Sequence, residues 1–400
     1  MAKGAFIGVG GVAHKVKKGY IGVDGIARKI KKAYIGVGGV ARLCWSGDPI
    51  AVFSGVSNLP LSLRYAAVGS TDTYAMVAGG DAGTFWGQQQ DKVYAYDNQL
   101  TQSTASCGLR RYQWIGTSVA NKFLCSGGLT EGQGGSGYDG TAAGDTIVIN
   151  DSLTYSSIQS LQYGRYDLAG ASTSTHALFA GGHDSTTSYS SAVDAYDASN
   201  THSVYTALSQ SRYYLTGVST SNYAFFGGGR VFTYFGDPQK ANVDVFDVAG
   251  TRTQLANLHE GKYQIGGTAT NGCAIFAGGG SNPDNNEYTD VVEVYNTSLT
   301  KSTLSSLSSA RAYIGAATIN GFAMFAGGHC TTGQYTDAID IYDSSLTKIS
   351  APDIKLARAR GFTQGTALQD KYAVFFCGGT LGSLSSENVT GHIVDVFVAT

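Results

Sequence analysis

The chain has 400 residues, 27 basic against 29 acidic, a formal net charge of −2 and only 14% charged residues. That balance excludes a chain that is basic throughout, as a strongly cationic nucleic-acid binder would be, and no apolar run reaches the length a membrane-spanning helix needs. Glycine is abundant at 55 residues, and Ser, Thr and Tyr supply much of the remaining polarity. Such a surface suits an extracellular or virion setting with hydroxyl-rich contacts, or simply a chain with many turns.

Residues 1–45 hold three copies of a short unit: Phe6-Ile7-Gly8-Val9-Gly10-Gly11-Val12-Ala13-His14-Lys15, Tyr20-Ile21-Gly22-Val23-Asp24-Gly25-Ile26-Ala27-Arg28-Lys29 and Tyr34-Ile35-Gly36-Val37-Gly38-Gly39-Val40-Ala41-Arg42-Leu43. Gly-Gly or Asp-Gly between alternating apolar residues signals a two-residue hairpin turn, so the leader is predicted to be three β-hairpins. Nine of the basic residues and one acidic residue, Asp24, fall in it. A basic leader is a candidate for nucleic acid or an anionic membrane. The basic residues, however, alternate with Val16 and Ile30 in strand period, which implies one wet and one buried face. A lone hairpin is unstable in water. The favoured reading is an attachment module ordered on an assembly or on copies of itself, with Tyr20, Asp24, Gly25 and Tyr34 as its attachment residues, no nucleic-acid partner and no membrane insertion.

Ile50-Ala51-Val52-Phe53 reads as a strand without neighbours of its own. From there the chain repeats. Seven apolar runs end in a Gly-Gly doublet, with the leading Gly at 79, 127, 181, 228, 278, 327 and 378, roughly 50 residues apart, a period of short strands that predicts a β-propeller. Each unit opens on a basic residue (Arg64, Arg111, Arg165, Arg212, Lys262, Arg311, Arg360), usually with an aromatic within two positions. Five positions on stands a small residue (Gly69, Gly116, Gly170, Gly217, Gly267, Ala316, Gly365) suited to a strand crowded at the axis. After the doublet and a variable loop comes an alternating strand such as Val193-Asp194-Ala195-Tyr196-Asp197 or Val292-Glu293-Val294-Tyr295-Asn296, whose period of two implies a sheet with two different faces. A Ser/Thr-rich turn and a fourth strand complete the unit. The seventh unit stops at its third strand, Ile393-Val394-Asp395-Val396-Phe397-Val398, so the strand near 50–55 is expected to supply the missing outer strand and hide an edge. The domains are therefore 1–45, the hairpin leader, and 46–400, the propeller.

Arg at the start, Gly-Gly after strand two and Tyr-Asp closing strand three resemble the kelch repeat family over residues 50–400. The resemblance implies an all-β fold, a seven-bladed kelch-like β-propeller behind a β-hairpin leader. Kelch units usually carry a Trp before strand four. Here that region reads Ser-Leu-Thr-Lys or similar, so packing between blades must rest on other side chains. The leader is similar to Tyr-Ile-Gly-Val-rich leaders of tail and baseplate proteins of bacteriophages and prophages of Gram-positive bacteria. Together the two resemblances imply a virion adhesin: leader to other tail proteins, propeller to a host-surface glycan or protein, a homo-oligomer in the assembly, made in the bacterial cytoplasm and released by lysis. A purely structural virion component and an enzyme acting on polysaccharide are the alternatives.

No catalytic constellation emerges, and no enzyme, cofactor or metal is expected. The seven histidines show no metal-ligand spacing, and His183 and His329 are explained by their place after a doublet. Met1-Ala2-Lys3 leads into Gly-rich repeats rather than an apolar signal segment. Among the six cysteines, Cys125, Cys273 and Cys377 lie in second-strand runs and read as buried free thiols. Two candidate sites remain. The seven basic residues should circle one mouth of the channel, either as an anion site or as framework residues pairing with backbone or with Asp of the next blade. The loops after Gly-Gly carry Phe85, Trp86, Tyr138, Tyr189, Phe232, Tyr234, Phe235 and Tyr335, aromatics suited to stacking on sugar rings.

Overall fold

The computed structural model describes residues 6–9, 12–15, 19–23, 26–30, 32–37, 40–46, 50–53, 55–82, 89–130, 140–184, 188–231, 238–282, 287–376 and 392–399. Strands before residue 50 pair as three antiparallel hairpins, in which Val9 faces Val12, Val23 faces Ile26 and Val37 faces Val40. Tyr20 and Tyr34 lie on these strands. Asp24 and Gly25 lie outside the described residues.

The rest is a seven-bladed β-propeller. Each blade is an antiparallel four-stranded sheet, and among the described residues there is no helix. Blade three shows the plan: inner strand Ala169–Ser172, second strand His176–Ala180, third strand Val193–Asp197 and outer strand His202–Tyr205. In blade seven the order is Gln364–Leu368, Tyr372–Phe376, Asp395–Ala399 and then Ile50–Phe53. The outer strand of the last blade thus comes from the start of the propeller, with Val398 opposite Ala51 and Val396 opposite Phe53. The junction is tied further by Leu59 N–H to His392 O at 2.8 Å and by Lys371 Nζ to Asn98 O at 2.9 Å.

Apolar cores lie between blades rather than within them. One holds Leu124 and Val148 of blade two with Ala177, Phe179 and Tyr196 of blade three; another joins Val374, Phe376 and Val396 of blade seven to Val77, Tyr94 and Tyr96 of blade one. Tyr at the end of strand three serves where a Trp is missing. Tyr96, Tyr196, Tyr295 and Tyr342 are buried, and their hydroxyls donate to the carbonyls of Ser57, Gln159, Ala256 and Ser305 at 2.5–2.8 Å. Each carbonyl follows the outer strand of the preceding blade, so one ring fills the seam and its polar tip is satisfied. The alternation of strand three does mark two unlike faces, but both are buried: its carboxylates are 0–5% exposed. Packing each sheet between two neighbours makes this unavoidable, and the charge needs an internal partner.

The Gly-Gly doublets set the spacing of the blades. Gly181 and Gly182 have φ of +69° and +103°, and a Cβ on Gly181 would sit 2.6 Å from Arg212 O of the next blade. The Gly182 N–H donates to that same carbonyl at 2.9 Å. The same bond recurs from Gly80, Gly128, Gly229, Gly279 and Gly328 to the basic residue of the following blade. Only glycine allows both the left-handed backbone and this approach. At the axis, a Cβ on Gly217 would fall 2.1 Å from Gly170 O, which is why inner strands carry small residues. Cys125 and Cys273 are buried free thiols, as is Cys107; Cys377 lies outside the described residues.

Candidate functional site

The basic ring is framework, not a site open to the channel. Arg165, Arg212, Lys262, Arg311 and Arg360 are 0% exposed. Each pairs with a carboxylate on the third strand of its own blade, not of the next one: Asp194 at 2.6 Å, Asp244 at 2.8 Å, Glu293 at 2.9 Å, Asp340 at 2.7 Å and Asp395 at 2.7 Å. Arg165, Arg212 and Arg311 also donate to the second-strand carbonyls of Phe179, Phe226 and Phe325. A second basic side chain reaches four of the carboxylates from the outer strand: His202, Arg252, Lys301 and Lys348. Burial pushes the Asp340 carboxyl up, but the Arg311 charge and the donors Lys348 and Ser308 outweigh it and hold it below the usual range. Glu293 is likewise held low, its burial outweighed by Lys262 and Lys301.

Blades one and two depart from this plan. In blades two to five the residue after the basic one bridges the residue after Gly-Gly, as Tyr112 with Leu129 and Tyr166 with His183. In blade one Arg64 itself occupies that bridging place, opposite Asp81, with which it also pairs at 2.8 Å. The buried position therefore belongs to Leu63, 1% exposed, and the carboxylate is replaced by Tyr94, opposite Val77 as Asp194 is opposite Phe179. Arg111 of blade two turns to the half-exposed Asp145 at 2.6 Å, because Ile147 stands where the carboxylate would be.

One residue past the bridging position, every blade places a non-glycine residue in the left-handed region: Tyr65 (φ 54°), Gln113 (52°), Asp167 (53°), Tyr214 (52°), Gln264 (50°), Tyr313 (59°) and Phe362 (57°). Such backbone is sparsely populated and costs about 1 kcal/mol or more per residue, so it persists only where the surroundings demand it. Here a necklace of bonds around the axis does. Gln113 N–H donates to Tyr65 O at 2.9 Å, Asp167 to Gln113, Tyr214 to Asp167, Gln264 to Tyr214, Tyr313 to Gln264 and Phe362 to Tyr313, the last five at 3.1–3.3 Å.

These seven side chains line a cavity of about 210 Å³ at the axis, above Trp114, Leu168, Leu215, Ile265 and Ile314. A second chamber of about 240 Å³ follows between the inner strands. The upper cup has two unlike walls. Blades six, seven and one contribute aromatic rings in contact: Tyr313 and Phe362 with centroids 4.1 Å apart, and Phe362 and Tyr65 at 5.5 Å. Blades two to five contribute Gln113, Asp167, Tyr214 and Gln264. Gln113 Nε2 donates to Asp167 Oδ1 at 3.1 Å, and Tyr214 is close enough to act on this carboxylate. Desolvation pushes Asp167 up to about 7, against the lowering effect of Tyr214, Arg230 and Gln113. The Arg230 guanidinium lies over the rings of Tyr213, Tyr214 and Tyr263 at 4.7–5.1 Å. Two buried polar atoms of the cup, Gln264 Oε1 and Thr363 Oγ1, make no hydrogen bond among the described residues. An aromatic wall facing a few convergent polar groups is the composition of a small-molecule site.

Of the loop aromatics expected to bind ligand, Tyr189 stacks on Tyr213 at 5.1 Å and 17°, beside the cup residue Tyr214. Tyr335 packs 4.9 Å from His329, whose Nδ1 lies 2.7 Å from Tyr288 Oη. Both are half-buried. Phe85, Trp86, Tyr138, Phe232, Tyr234 and Phe235 lie outside the described residues. The cup itself escaped the sequence reading: an aromatic within two positions of the basic residue marks only Tyr65, Tyr214, Tyr313 and Phe362 of its seven members. Among the described residues no cluster of three His, Cys, Asp or Glu is placed to hold a metal, and no helix is long and apolar enough to cross a membrane.

No family model and no curated protein matches the chain. The solved structure of YjhT is similar, with a TM-score of 0.57 at 13% identity, covering 74% of this chain and 99% of that one. At that identity the likeness shows a shared fold, the β-propeller.

Proposed function

We propose that the propeller is a saccharide-binding head, and that the chain is a bacteriophage virion adhesin of the tail or baseplate. The observation that carries the binding reading is the two-walled cup: the contacting rings of Tyr313, Phe362 and Tyr65, tilted and edge-on to one another, opposite Gln113, Asp167 and Gln264. A sugar presents an apolar ring face and a rim of hydroxyls, and this wall arrangement matches both. The cup volume of about 210 Å³ suits a single sugar unit. Tyr189 stacks on Tyr213, next to the cup residue Tyr214, and adds aromatic surface beside the cup. The repeat is kelch-like in this reading, supported by the Gly-Gly doublets and the buried Arg–carboxylate pairs. The leader's paired hairpins and basic charge support its role as the part that docks on other virion proteins, leaving the propeller to meet the host. Binding of the propeller to a cell-wall glycan array, with Phe362→Ala as control, tests the proposal. Signal that the variant abolishes supports it; an array that stays blank while the propeller still coats host cells would point to a protein receptor.

A further inference from the structure

Asp167 is the one carboxylate among the residues lining the cup. Its environment is unusual for a surface acid. It accepts from Gln113 Nε2, at 3.1 Å to Oδ1 and 3.4 Å to Oδ2, and the neighbouring Tyr214 side chain favours its charged form. It stands at the polar wall, half-buried, above the apolar floor of Leu168 and Leu215. Unlike Asp194 of the same blade, which meets Arg165 and His202 within 2.7 Å, Asp167 forms no ion pair among the described residues. Gln113 uses part of its accepting capacity, since a carboxylate offers about four lone-pair sites, and Asp167 lines the cup, which leaves the rest for a ligand.

Resting on the saccharide reading, we propose that Asp167 is the specificity-determining residue of the cup: it takes a ligand that directs a hydroxyl or acetamido N–H at its carboxylate, and the bound state requires that carboxylate ionised.

A donor from the ligand favours the charged form, so a carboxyl that titrates near 7 when the cup is empty gives up its proton on binding. The groups packed around it do not replace this response. Tyr214 and Tyr166 are pushed up by burial and stay neutral. Arg230 stays charged, and Gln113 does not titrate. His183, against Tyr166 at 4.9 Å, is lowered by its own burial; it gains charge only on acidification and does not contact the cup. The linkage has a definite sign. Above neutral pH Asp167 is already ionised and affinity is greatest. Below it the ligand must displace a proton, and affinity falls about tenfold per pH unit.

Calorimetric titration of the whole protein with methyl β-glycosides of glucose, galactose, N-acetylglucosamine and N-acetylgalactosamine, at pH 6 and pH 8 and in buffers of different ionisation enthalpy, tests this. The expected result is a Kd that weakens by about tenfold or more at pH 6, with close to one proton released per ligand there and almost none at pH 8. Asp167→Asn should retain its melting transition, because Asn tolerates the left-handed backbone, and should show neither the pH dependence nor the proton release. A glycoside that binds with the same Kd at both pH values and no proton release overturns the inference while leaving the saccharide reading intact. The same pH dependence surviving in Asp167→Asn also overturns it and transfers the effect to His183. Failure of every glycoside to bind at either pH defeats the saccharide reading, and the inference with it.

Discussion

Arg165 and Asp167 stand two residues apart, and their side chains have opposite fates. The first belongs to a set of positions that in blades three to seven recur with one chemistry and vanish into the blades, each cation closed on a carboxylate of its own sheet. The second belongs to a ring that repeats only in backbone. All seven of its members share a left-handed φ, and six backbone bonds link them from blade to blade, yet their side chains are Tyr, Gln, Asp, Tyr, Gln, Tyr and Phe. Where a repeat holds its chemistry constant, the residue serves the fold. Where it holds the conformation constant and varies the chemistry at the axis, the position is free to serve a ligand.

Blade one sharpens this, because it shows the framework position solved another way, with Leu63 and Tyr94 in place of a cation and a carboxylate. The largest expected effect follows. Asp244→Ala leaves Arg212 buried without its carboxylate and should cost about 3–5 kcal/mol in chemical denaturation. Giving blade four the blade-one solution, Arg212→Leu with Asp244→Tyr, should recover most of that loss, since well-packed replacements for buried ion pairs are often neutral. A double variant as unstable as the single one would mean that the pairs are not interchangeable with apolar packing.

The cup ring should respond in the reverse sense. Phe362→Ala should weaken saccharide binding by about 1–3 kcal/mol, the scale of aromatic stacking losses, with a smaller fall in melting temperature than Asp244→Ala gives. Acid should separate the blades more gently. Asp340 and Glu293 have lowered folded pKa values, so their stabilisation is present above the unfolded carboxyl range of about 4 and is lost as pH falls through the folded values. Amide exchange in strand three of blades five and six should therefore rise on acidification before that of blades one and two, where Tyr94 and Ile147 carry no charge. The smallest effect concerns blade seven. Its outer strand places Val52 opposite Phe397, where Arg252 stands opposite Phe246 and Lys348 opposite Tyr342. Val52→Lys should add a second cation for Asp395 and stabilise by about 1 kcal/mol at most.

Blade number, the Gly-Gly turns and the small inner-strand residues were legible because each is imposed by close approach of backbone, which few residue types satisfy. The shared outer strand was legible from what the seventh repeat lacks. The destination of the basic ring was not. An Arg reads the same whether it faces water or a buried Asp, and Arg64 matched the pattern although Leu63 fills the equivalent place. The cup was hidden for a different reason. Left-handed backbone at Tyr, Gln, Asp and Phe comes from the bonds between blades, not from residue preference, and only a ring of seven such residues makes a site.

A crystal structure of the propeller soaked with its tightest-binding saccharide tests the two-ring account most directly. The account predicts the sugar in the axial cup, its ring face against Phe362 or Tyr313 and a hydroxyl or N–H on Asp167. A sugar bound on the outer loops, with the cup empty, would contradict it.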